Sequence, residues 1–142
     1  MSVLVQIALG SLLLIICGLL HIAIASWLVS FLISQRPMQT SDRQRGTLGL
    51  ISLVFGAFAL SHTLQVYIWA AGIWIVGALP GYEASIYFAL VTYTTVGYGD
   101  VTLGPDHRIF GAMASVTGIL MFGLTTAFLV GVFARATGTE RE

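Results

Sequence analysis

Thr94-Thr95-Val96-Gly97-Tyr98-Gly99-Asp100 stands between a short apolar segment, Tyr82 to Tyr93, and a long apolar run that starts at Arg108. Glycine takes the left-handed backbone conformation without a Cβ penalty. With Gly97 and Gly99 left-handed and Val96 and Tyr98 right-handed, successive carbonyls can point to one side. A β-strand cannot do this, because its carbonyls alternate. The Thr95 hydroxyl adds one more oxygen at the start of the row, and the side chains of Val96 and Tyr98 turn away from it. Gly97-Tyr98-Gly99 is also half of a dinucleotide-binding loop, but that loop needs Gly-x-Gly-x-x-Gly after a strand. Position 102 is Thr, and no strand-helix-strand pattern surrounds it. An ordinary glycine-rich turn is the plainer alternative.

The chain around this stretch has 142 residues, 57% of them hydrophobic and 8% charged, with a mean hydropathy of +0.93. A soluble globular domain does not have that composition. Zero formal net charge gives no electrostatic basis for a nucleic-acid partner. The single cysteine, Cys17, lies inside an apolar run and reads as a small buried hydrophobe.

Val3 to Ile33 carries no charge and has no basic residue before it. It is about twice as long as a signal-peptide core, so it reads as a retained membrane helix. Ser34 to Gly46 is a polar linker with three arginines and one aspartate, where Pro37 ends any helix continuing from the first run. Thr47 to Leu79 is a second spanning run, broken by Pro80-Gly81. Tyr67, Trp69 and Trp74 cluster in its second half, as expected near a membrane interface. Tyr82 to Thr94 is too short to span. Glu83 near its start suits the positive end of a helix dipole. Asp100 to His107 forms a loop, and Arg108 to Phe133 is the third spanning helix. Ile119, Phe122, Thr126 and Val130 recur at three- and four-residue spacing and share one face of it.

The heptapeptide in this setting resembles the selectivity filter of potassium channels, and the chain is identified as a member of that pore family. The likeness covers about residues 82 to 133 and is specific in its Thr-Val-Gly-Tyr-Gly core. It extends into the last helix, where Gly118 resembles the hinge glycine of bacterial two-helix channels and Phe122-Gly123-Leu124 and Thr126-Ala127 match as well. The resemblance implies an all-α membrane protein. Three transmembrane helices, a re-entrant pore helix and a filter loop would assemble as a fourfold-symmetric homotetramer, because one loop cannot surround an ion. Residues 1–46 would form an extra N-terminal helix and linker absent from the minimal members. Residues 47–142 would form the pore domain, with the outer helix at about 47–79, the pore helix at about 82–94, the filter at 95–99 and the inner helix at about 108–134. Potassium would bind at Thr95, Val96, Gly97 and Tyr98, with Gly99 completing the filter. Asp100, Tyr87 and Thr94 would support it. Gly118, Ile119, Phe122, Thr126 and Val130 would form the cavity and gate. The partners implied are three further copies of the chain, membrane lipid and K+, with no cofactor.

Two departures from the family pattern matter. The pore-helix glutamate common in bacterial members is Val91 here, and two tryptophans are replaced by Tyr87 and Phe88, so a contact from Tyr87 to Asp100 is expected instead. No arginine ladder lies in any membrane run, so voltage sensing of the usual kind is not expected. The filter direction implied by the family puts the linker and the C-terminus in the cytoplasm and the N-terminus outside, in a plasma or inner membrane. Independently, five of the six arginines fall on that cytoplasmic side.

Two further possibilities are a membrane subunit whose filter does not conduct and an enzyme. Intact Thr95, Gly97 and Gly99 speak against the first. The second lacks a Ser-His-Asp or metal-ligand cluster. The depths of His21 and His62 along two antiparallel helices coincide, at roughly 20 Å from the linker end. His21 is therefore expected to meet His62 or Gln65 between the first two helices, either as a neutral hydrogen bond or as a proton sensor.

Overall fold

A computed structural model describes residues 1–34 and 43–137. Among the described residues the chain is all-helical: α1 (Val3–Ser34), α2 (Arg43–Ile75), α3 (Tyr82–Tyr93) and α4 (Arg108–Thr137). Three helices, α1, α2 and α4, are long and apolar enough to cross a membrane. The expected linker features at residues 35–42, including Pro37, lie outside the described residues, as does Arg141.

α2 ends earlier than expected. Gly77 takes a φ of 70°, its amide donates to the Trp74 carbonyl at 3.0 Å, and the Ala78 amide donates to the Ile73 carbonyl at 3.1 Å. These two bonds with a left-handed glycine make a Schellman cap, which satisfies the last carbonyls of the helix before Pro80 is reached. α3 starts directly after Gly81 and ends at Tyr93, with Thr94 as its C-cap.

α1 and α4 run parallel in a constant register. Gln6 meets Ile109, Gly10 and Gly18 face Met113 and Met121, and His21 meets Thr125, an offset of 103 or 104 residues throughout. α2 runs against α1: Leu13 lies on Gly72, His21 on Ser61, and Leu28 packs with Val54 and Phe58. α1 is therefore built into the core. The larger apolar cluster joins Cys17 of α1 with Trp69 and Ile73 of α2, Tyr93 of α3, and Phe110 and Ala114 of α4. Of the three aromatic residues in the second half of α2, Trp69 packs inward. It is fully buried, with its ring 5.4 Å from that of Phe110, while Tyr67 and Trp74 are exposed. Residues two and five positions apart from it on a helix project from other faces.

One end of the bundle is tied by polar contacts. Gln6, 2% exposed, accepts hydrogen bonds from the Ile109 and Phe110 amides at 3.0 and 3.3 Å. These amides have no partner within their own first turn, so a side chain of α1 caps α4. The N-terminal ammonium lies 3.4 Å from Asp106 Oδ1. The start of α1, the start of α4 and the loop between α3 and α4 thus share one end of the molecule.

Candidate functional site

The site begins where α3 runs out of helix. Its last carbonyls have no further turn to bond and take the amides of the following loop. Thr94 donates its amide to Leu90 O at 3.1 Å, and Thr95 donates to Thr92 O at 3.0 Å. The Val96 and Gly97 amides both donate to Val91 O, at 3.0 and 3.2 Å. The Thr94 hydroxyl turns back onto Leu90 O at 2.7 Å. From α4, the Ser115 hydroxyl donates to Thr92 O at 2.9 Å, a tie the sequence did not reveal.

Beyond these bonds the backbone alternates in hand. Thr95, Gly97 and Gly99 have φ of 61°, 57° and 78°, while Val96 and Tyr98 stay at negative φ. Thr95 joins the left-handed set, which the two glycines alone did not announce. A β-branched residue there is strained, by roughly 1–3 kcal/mol. Among the described residues no hydrogen bond reaches the carbonyls of residues 95–99. They form a row of uncommitted acceptors. Val96 and Tyr98 are 51% and 73% exposed, so this chain alone leaves their side chains largely uncovered.

At the far end of the loop the Tyr87 hydroxyl donates to Asp100 Oδ2 at 2.6 Å, and the Val101 amide donates to Oδ1 at 3.1 Å. The phenol's hydrogen bond holds the Asp100 carboxyl below its ordinary value of 3.8, and the same bond raises the Tyr87 phenol. The contact from Tyr87 to Asp100 is the one expected from the sequence.

Along α4, Ile119, Phe122, Thr126 and Val130 are all exposed in the single chain. The Phe122 ring also lies 4.5 Å from that of His62. Gly118, which resembles a hinge glycine, is buried, and its missing side chain admits α3: a Cβ there would collide with the carbonyl oxygen of Tyr93.

Behind the loop lies a polar group that spans all four helices. Gln65 Nε2 is 3.2 Å from His21 Nδ1, and His21 Nε2 is 3.3 Å from the Thr125 hydroxyl. That hydroxyl is 3.0 Å from His62 Nε2, and His62 Nδ1 is 2.9 Å from the Tyr93 hydroxyl. Tyr93 donates to Gln65 Oε1 at 3.0 Å, which closes the circuit. Ser61 sits beside it, 3.1 Å from both His21 Nδ1 and Gln65 Nε2. The two imidazoles, with ring centres 5.4 Å apart, do meet at the depth expected. Tyr93 and Thr125, which join them to α3 and α4, gave no signal beyond being single polar residues in apolar runs. Among the described residues no three His, Cys, Asp or Glu side chains converge to hold a metal.

Comparison with known proteins gives a consistent picture. The family model described as "Ion channel" matches residues 50–135. The potassium voltage-gated channel protein shk-1 of Caenorhabditis elegans is 45% identical over 51 residues, which is 35% of this chain and 10% of that protein. The A-type voltage-gated potassium channel KCND3 of Rattus norvegicus is 40% identical over 53 residues, 37% of this chain and 8% of that protein. The chain thus spans a tenth or less of the length of these relatives in what it shares with them. No solved structure matches.

Proposed function

Because the chain belongs to the ion channel family, we propose that it is one subunit of a potassium-selective channel that conducts K+ passively. The observation that carries this is the alternation of left- and right-handed residues from Thr95 to Gly99, with carbonyls that no hydrogen bond occupies. Four such strands around one axis supply stacked rings of oxygens, which replace the hydration shell of a potassium ion. The sites lie at Thr95, Val96, Gly97 and Tyr98, and the Thr95 hydroxyl adds the innermost oxygens. α3 is the re-entrant pore helix, and its carbonyl end favours a cation at the pore centre. Asp100, Tyr87 and Thr94 hold the filter to it. Ile119, Phe122, Thr126 and Val130 face the cavity below, which suits their exposure in the single chain.

The homotetramer is supported by the uncovered side chains of Val96 and Tyr98, which neighbouring copies would enclose. The arginine distribution supports a cytoplasmic C-terminus and an outer mouth at Asp100, and the contact of the N-terminus with Asp106 supports an outer N-terminus. Permeation needs no chemical step, so no catalytic residue is assigned.

The test is reconstitution of the full chain in liposomes, with reversal potentials measured in mixed potassium and sodium. The expected result is a strong preference for potassium and block by barium, which resembles potassium in size. Equal permeability, or no flux, refutes the proposal.

A further inference from the structure

We propose that the closed hydrogen-bond circuit of His21, Thr125, His62, Tyr93 and Gln65 positions the inner end of the filter and releases it when either histidine takes up a proton. The inference rests on the channel reading above. It makes His21, on the helix that minimal pores lack, a positioning residue for ion selection.

Each member of the circuit brings one donor and one acceptor in its neutral form. In one sense of travel, His21 Nε2–H donates to Thr125, Thr125 to His62 Nε2, His62 Nδ1–H to Tyr93, Tyr93 to Gln65 Oε1, and Gln65 Nε2–H to His21 Nδ1. Five hydrogens serve five links, with distances of 2.9 to 3.3 Å. The second hydrogen of the Gln65 amide goes to Ser61. Exchanging the oxygen and nitrogen of the Gln65 amide reverses every arrow and leaves the circuit equally complete. Both senses need two neutral imidazoles.

A proton on either imidazole turns an acceptor into a donor. Six hydrogens then face five links, so one link opens or a hydroxyl turns out of the circuit toward its own helix. The cation also lacks a counter-charge. Cys17 on α1 and Tyr93 on α3 are the titratable side chains that share this part of the core. Among the described residues α2 adds only the other histidine, Ser61 and Gln65, and α4 only Thr125. The described carboxylates, Glu83, Asp100 and Asp106, belong to the start of α3 and to the loop that follows it. The second imidazole is close enough to oppose a charge on the first.

The connection to the filter is short. Tyr93 precedes Thr94-Thr95, its carbonyl rests on Gly118 of α4, and the neighbouring Thr92 carbonyl receives the Thr95 amide. A Tyr93 ring freed from the circuit lets the end of α3 shift against α4, and the Thr95 oxygens move with it. The circuit draws one or more members from each of the four helices, so opening it also loosens α1 from the pore.

The test uses the full chain in liposomes, with the potassium-to-sodium permeability ratio and the flux measured while pH is stepped from about 7.5 to about 5. Acidification is expected to lower the wild-type ratio by about three- to tenfold, the worth of one intramembrane hydrogen bond. His21→Gln keeps a donor and an acceptor but cannot be charged there, so its ratio at neutral pH should stay near wild type and any acid response it keeps belongs to His62. His21→Leu opens the circuit at every pH and should show the acid ratio throughout. A wild type indifferent to pH, or a channel carrying both His21→Gln and His62→Gln that keeps the full acid response, overturns the proposal. If the leucine variant does not assemble, Thr125→Ser, which keeps the link, and Thr125→Ala, which removes it, replace it. A wild type without potassium preference at neutral pH refutes the channel reading instead. The circuit is then judged by the 15N shifts of the two imidazoles, which must titrate as a coupled pair and show weaker coupling in Thr125→Ala, where only their direct repulsion is left. Independent titration in the wild type overturns it.

Discussion

Replacing Gly118 with alanine sets two local effects against each other. In the interior of α4 alanine is the better helix former, by about 1 kcal/mol, so a glycine that served only as a flexible joint would be replaced with a gain in stability. The structure gives the other side. Gly118 is buried, and the atom its Cβ would meet is the carbonyl oxygen of Tyr93. That is a backbone atom, fixed by the helix that carries it, and cannot rotate away as a side-chain tip can. Forcing a methyl into such a contact costs about 1–3 kcal/mol. The rigid partner places the cost in the upper half of that range, leaving a net loss of roughly 1–2 kcal/mol after the helix gain is subtracted. The strain falls on α3 one residue before the filter loop. Gly118→Ala should therefore unfold at lower temperature in detergent and conduct potassium with reduced selectivity in liposomes. A variant as stable as wild type, or more so, with an unchanged permeability ratio would refute close packing as the reason for this glycine.

Gly97 carries a φ of 57° and has open space around its missing Cβ, so Gly97→Ala pays only the left-handed penalty, about 1–2 kcal/mol in each subunit. It should abolish selectivity or conduction, and a normal reversal potential in mixed potassium and sodium would defeat the alternation of hand. Asp100 titrates below 3.8 in the folded chain because Tyr87 donates to it. The contact's contribution is therefore present above that value and is lost as pH falls through the lowered folded value. Tyr87→Phe should move the Asp100 carboxyl back up toward 3.8, read by carboxyl 13C shifts, and an unmoved midpoint means that the hydrogen bond does not set it. Gln6→Leu removes the acceptor for the Ile109 and Phe110 amides and should cost about 1–3 kcal/mol in thermal unfolding. Gln6→Glu keeps the acceptor, so an equal loss in both variants would count against the cap.

Length and apolar content were enough for the three long helices, because a run of that kind has no alternative in water and lipid satisfies it along its whole length. The alternation of hand at Gly97 and Gly99 was legible for a local reason: two glycines one residue apart permit an alternation that other residues resist, and backbone hand is decided within a few bonds. The same locality explains why the end of α2 was misplaced. Gly77 was available as a left-handed cap, but Pro80-Gly81 was the louder signal. Thr95 could not be foreseen in the left-handed set, because its own chemistry disfavours that region and only the bonds from the α3 carbonyls hold it there. Depth along two antiparallel helices brought His21 and His62 together, since rise per residue is fixed by helix geometry. Rotation about each helix axis and the register between α1 and α4 are set by packing over many contacts. That is why Gln6 as a cap, Trp69 in the core, Gly118 against Tyr93, and the closure of the histidine pair through Thr125, Tyr93 and Gln65 were decided only when all four helices met.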